Sequence, residues 1–93
     1  MDRTAFEAEL EREGYAPVEV ERGPDTDKAD HAHDFDARLL VLDGVLTITI
    51  AGAARTCRAG ETFTVPAGVR HTEHAGPAGA RFLLGKRRKA GFA

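Results

Sequence analysis

This chain lacks most of the features that announce a protein class. It has one cysteine, Cys57, and no apolar run long enough to span a bilayer. A single thiol excludes an intramolecular disulfide framework, and with it the small secreted scaffolds that depend on one. The N-terminus, Met1-Asp2-Arg3-Thr4, opens a polar stretch without a signal-peptide core. These absences point to the cytoplasm and to no membrane partner. No Gly-rich phosphate loop, Ser-His-Asp order or zinc-finger spacing occurs. There is no internal repeat, low-complexity segment or linker, so the 93 residues make one domain with a modest core.

Charge is present in abundance but unevenly placed. Residues 1–36 carry twelve acids against four bases, whereas residues 37–93 carry three acids against nine bases. The plain reading is that the acidic segment packs near the basic half, within one chain or across a dimer. A basic surface for nucleic acid would centre on Lys86-Arg87-Arg88-Lys89. That run has no flanking aromatics and no recognition helix, so it reads as a solvated tail and no nucleic-acid partner is expected.

Residues 1–14 read as a short N-terminal helix. Phe6 and Leu10 lie four apart on one face, Asp2 or Thr4 can cap the start, and Gly14 stops it. From Tyr15 the period changes to two. Val18 and Val20 alternate with charged residues, after Pro17, in the manner of an edge strand. Leu39-Leu40-Val41-Leu42 reads as a buried strand, and Asp43-Gly44 as a hairpin turn. Val45 to Ile50, Arg55 to Arg58, Thr62 to Val65, Val69 to Ala75 and Arg81 to Gly85 complete the set. About eight antiparallel strands over residues 15–93 predict an all-β sandwich or barrel.

The four histidines sit at the two ends of this ladder: His31 and His33, then His71 and His74. Histidines two apart on a strand point to one face. A third from a distant strand can close a three-nitrogen metal site. His74 is out of phase with His71 and reads as a surface or inter-subunit residue. Glu73 is in phase with His71 and so can point inward, as a metal ligand, as a base, or as a carboxylate at the barrel mouth paired with an arginine. Asp36 faces inward only with a bulge and otherwise reads as a loop acid. Arg38 and Arg70 read as surface residues, one of which could orient an anionic substrate. Thr47 and Thr49 line either the cavity or the surface. Cys57 lacks an activating neighbour and reads as a packing residue.

These residues resemble the cupin superfamily, the small jelly-roll β-barrels. The second cupin motif reads here Gly60-Glu-Thr-Phe-Thr-Val-Pro66-Ala-Gly68-Val-Arg-His71, matching every fixed position through the histidine. The first reads His31-Ala-His33, with Gly44 in its expected place. The family's glutamate falls at Ala37 and its asparagine at Ala75, neither of which can ligate. The resemblance covers roughly residues 15–86. It implies a jelly-roll barrel in which His31, His33 and His71 form a three-histidine site, as some cupins use with iron, zinc, nickel or copper. The expected cofactor is one divalent transition metal per chain, such as iron, zinc, nickel or manganese.

The resemblance further implies a small metal-dependent enzyme of dioxygenase or isomerase/lyase type. Its substrate would be a small organic molecule such as an organic acid, with Glu73 moving a proton. The alternative is a non-catalytic small-molecule-binding or sensor cupin, or a metal-free barrel with a storage or structural role. A homodimer is expected by analogy.

Overall fold

The computed structural model describes residues 1–88. Lys89 and the end of the expected 15–93 domain lie outside them. The chain begins with helix α1 (Arg3–Glu13). Asp2 caps it, its Oδ1 accepting from the Ala5 N–H at 2.8 Å, and Gly14 ends it in the left-handed conformation at φ 80°. The helix buries Phe6 and Leu10 in a small cluster with Tyr15, Leu40 and Leu83. Leu40 and Leu83 are register partners on neighbouring strands, so the helix covers one cross-strand pair.

Six strands follow: β1 (Ala16–Arg22), β2 (Asp27–His31), β3 (Phe35–Ile50), β4 (Ala53–Arg58), β5 (Thr62–Val65) and β6 (His71–Arg88). All pairings are antiparallel. The central path is β1-β6-β3-β4, with β2 added to β6 and β5 added to β3. Among the described residues no pairing joins the outer strands, so the sheet is open. It is six strands rather than about eight, and for one reason. Each of the two long strands absorbs two expected ones.

Asp43-Gly44 is therefore not a hairpin. Asp43 pairs with Arg81 and Gly44 with Ala80, and the register shifts on either side of them. The local turn preference yields to a long-range partner strand. Gly44 has φ +76°, and a Cβ there would lie 2.2 Å from the Gly79 carbonyl oxygen. Only glycine fits this bulge. The irregularity also resets the strand's phase. Ala37, Leu39 and Val41 face the core before it, and Leu46 and Ile48 face the core after it. β6 does the same, with His71 and Ala75 inward before its glycines, and Ala80 and Phe82 inward beyond them.

Both long strands thus contribute two segments to one inner core, which also takes Cys57 and Val65. Leu39 to Leu42 is apolar without alternation because its odd residues face this core while Leu40 faces the helix. Cys57 is fully buried, and that burial pushes its thiol up, away from the reactive thiolate. The acidic and basic halves of the sequence meet within the chain. Arg38 pairs with Glu13 at 2.9 Å, Arg70 with Asp30 at 2.7 Å and Arg81 with Glu19 at 3.6 Å. No helix among the described residues is long and apolar enough to cross a membrane.

Candidate metal centre

β2 ends at His31 and β6 begins at His71, and the two are register partners. His33 is not on the strand with His31, as the His-x-His spacing suggested. It lies in the connection to β3. A turn holds it in place instead. The Gly68 N–H donates to the His33 carbonyl at 2.8 Å, and the Ala67 N–H donates to Asp36 Oδ1 at 2.9 Å. Pro66-Ala67-Gly68 thus ties the approach to His71 onto the segment carrying His33. Gly68 takes φ +81° to do so.

The three imidazoles converge. Ring centroids of His31 and His71 are 4.2 Å apart, those of His31 and His33 4.7 Å, and those of His33 and His71 5.2 Å. One nitrogen from each lies within 4.8 Å of the other two. The hydrogen bonds set two of the tautomers. His31 Nδ1 lies 2.6 Å from the Ala29 carbonyl oxygen, and His71 Nδ1 lies 3.0 Å from that of Val69. A carbonyl only accepts, so each Nδ1 carries the proton and each Nε2 keeps its lone pair. Such carbonyl-anchored imidazoles are the usual form of histidine ligands. His33 stacks on Phe35 at 4.5 Å. Burial, then the neighbouring His31 and His71, hold its pKa below the ordinary histidine value, which favours the neutral, ligating form. This donor set suits a later transition metal, and the three histidines could hold one.

Glu73 stands where the strand phase put it. Its Oε2 is 3.5 Å from His71 Nε2 and 3.7 Å from His31 Nε2, and its side chain is 13% exposed. Its nearest polar neighbours are the imidazoles, not an arginine. Asp36 is elsewhere. It lies on β3, one residue out of phase with Ala37, accepting from Ala67 and facing Arg87 Nη2 at 3.3 Å. It is a strand acid that braces the turn rather than a loop acid or a substitute ligand. His74 is on the outer face, with Nδ1 2.6 Å from Asp27 Oδ1. Thr47 is outside too, bonded to Thr56 at 3.0 Å. Arg38 and Arg70 face α1 and Asp30, away from the histidines.

The imidazoles and Glu73 line a cavity of about 130 Å³. Leu39, Ile48, Val65 and Leu84 form apolar walls, and Phe35 and Phe82 add aromatic ones. Ala37 is in the lining and Ala75 is buried in the core, so neither position adds a ligand. The cavity also holds Arg22, Lys28 and Lys86, which the sequence reading missed. Parity carried a signal for two of them. Arg22 is in phase with Val20, and Lys86 with Phe82 and Leu84. Val20, Phe82 and Leu84 all pack on the inner core.

A family model for the cupin domain matches residues 18–84. The chain belongs to the cupin family. Solved structures share its fold. An RmlC-like cupin from Shewanella frigidimarina aligns with TM-score 0.71 at 21% identity, covering 83% of this chain and 68% of that one. The polyketide cyclase RemF from Streptomyces resistomycificus aligns with TM-score 0.70 at 24% identity, over 81% of this chain and 55% of its own. Oxalate decarboxylase from Bacillus subtilis reaches TM-score 0.73 at 23% identity, over 80% of this cupin but only 21% of the decarboxylase. At such identities the fold is what is shared, and one fold hosts many chemistries. No curated protein matches the sequence.

Proposed function

We propose that this cupin is a small metal-dependent enzyme, of dioxygenase or isomerase/lyase type, acting on a small organic molecule. The observation that carries the reading is the convergence of three imidazoles and one carboxylate in an otherwise largely apolar pocket. A divalent transition metal held by His31, His33 and His71 would supply Lewis acidity and open positions for a substrate oxygen. The chain's own groups do the rest. The Ala29 and Val69 carbonyls orient two imidazoles. The pocket's apolar walls limit water. Glu73 Oε2, beside both Nε2 atoms, is placed to take or return a proton of the bound molecule.

The test is metal content per chain by mass spectrometry on tag-free protein, beside the His31→Ala/His71→Ala variant. About one metal per chain, lost in the variant, is the expected result. Turnover of a panel of small organic molecules under that metal then follows. No metal after reloading with iron, zinc, nickel and manganese would overturn the reading.

A second reading is a ligand-binding or sensor cupin without catalysis. It is favoured by Ala37, which lines the pocket without offering a ligand atom. Saturable binding without turnover would select it. In either case we propose a homodimer, because β1 is a sheet edge and exposes Val18. Light scattering reads that directly.

A further inference from the structure

We propose that the pocket selects a small organic anion, a carboxylate with a short apolar body, and that Lys28, Lys86 and Arg22 supply the selection. This rests on the reading above in taking the histidine-lined pocket as the functional site, and it names the ligand class. The whole chain has a net charge of −2. Its pocket lining nevertheless carries three cations, Arg22, Lys28 and Lys86, against one carboxylate, Glu73.

That carboxylate forms no ion pair with any of the three cations. Glu73 is turned to the imidazoles, at 3.5 and 3.7 Å from their Nε2 atoms. Elsewhere Arg3, Arg38, Arg70, Arg81, Arg87 and Arg88 each have an acidic partner within ion-pair distance. Among the described residues, the pocket's cations Arg22, Lys28 and Lys86, like Arg12, Arg55 and Arg58 outside it, form no such pair. Lys28 sits across from Glu73 in the β2–β6 register. Lys86 Nζ lies 5.2 Å from the centre of the Phe35 ring, and Arg22 Cζ lies 5.5 Å from that of Phe82. Both rings also line the cavity, so the cations are held against its walls. Arg22 Nε is buried without a hydrogen-bond partner. Lys28 and Lys86 are exposed at the pocket's rim and Arg22 is half-buried, so their field is screened by solvent but still biases the entrance toward anions.

Size and wall chemistry narrow the class. An apolar cavity of about 150 Å³ holds benzene. The 130 Å³ here suits a ligand of comparable size. Leu39, Ile48, Val65 and Leu84 offer nothing to the oxygens of a bare phosphate or sulfate, but they suit a short hydrocarbon. An anion with an apolar body uses both halves of the lining.

The experiment compares isovalerate with its neutral isostere isovaleramide by calorimetry at pH 8. Both are measured on EDTA-treated and zinc-loaded full-length protein. Isovalerate is expected to bind about tenfold tighter than the amide in both forms. In Lys28→Met/Lys86→Met, two exposed positions, that preference should fall at least severalfold. Arg22→Met, checked by circular dichroism, should lower it further. Equal affinities, no binding of either probe, or a preference unchanged in the variants would overturn the inference. So would a preference seen only with zinc, since the metal alone would then select the carboxylate. If zinc fails to bind but the metal-free preference persists, the metal-enzyme reading falls and this one stands.

Discussion

Four consecutive residues of β6 make two opposite environments. His71 and Glu73 face inward, and Thr72 and His74 alternate with them. His71 is 3% exposed, with its Nδ1 on a backbone carbonyl. The His74 side chain is 47% exposed, with its Nδ1 on the Asp27 carboxylate. Each histidine has an acid nearby, yet the consequences differ. Outside, the pair is solvated and screened, and pairs of that kind contribute little. Inside, the carbonyl fixes the tautomer, the other nitrogen is free to ligate, and two further imidazoles stand within reach. The residue type is the same, and strand phase separates a candidate ligand from a surface group.

The strongest way to break this contrast is to remove the device that sets the phase. Gly44→Val would place a Cβ against the Gly79 carbonyl oxygen at a positive φ. We expect a loss of about 3 kcal/mol or more, read as a fall in the urea midpoint. An unchanged midpoint would mean that the bulge is soft and does not set the phase. Next comes the direct comparison of the two histidines. His71→Ala should leave almost no bound metal by mass spectrometry. His74→Ala should keep the full content and change stability by no more than about 0.5 kcal/mol. Equal losses in both variants would remove the distinction between the faces.

Glu73→Gln sharpens the contrast within the inner face, because it keeps the shape and removes the base. Metal content should stay, and turnover of an identified substrate should fall by about 10² or more. Full activity would return Glu73 to a structural role. The smallest effect is expected one step removed from the histidines. Asp36→Asn weakens the acceptor for the Ala67 N–H without touching an imidazole. Metal affinity, measured by competition with a chelator, should drop by roughly tenfold, at the lower end for outer-shell partners. No change would show that Pro66 and Gly68 hold the turn unaided.

Local patterns were legible in proportion to how local their cause was. The helix was, because Asp2, Phe6, Leu10 and Gly14 are a self-contained cap, face and stop. Glu73 was placed by counting two from His71, since no irregularity intervenes. Asp43-Gly44 was misread because its hairpin preference is local, whereas pairing with Arg81 and Ala80 comes from residues nearly forty positions away. The pocket cations were missed for a related reason. Lys86 belongs to a run that looks like a solvated tail, and Lys28 precedes the register shift between Lys28 and His31.

By itself, the sequence determined the family, the histidines at motif positions, the alternating strands and the glycines that permit positive φ. These follow from residue type and spacing, which act over a few bonds. The tertiary structure alone decided that two pairs of expected strands are continuous, that Asp36 braces a turn, and that three unpaired cations share a cavity with the imidazoles. Those outcomes depend on which distant backbone supplies each hydrogen-bond partner, and on the two phase shifts that then decide which side of each strand faces in.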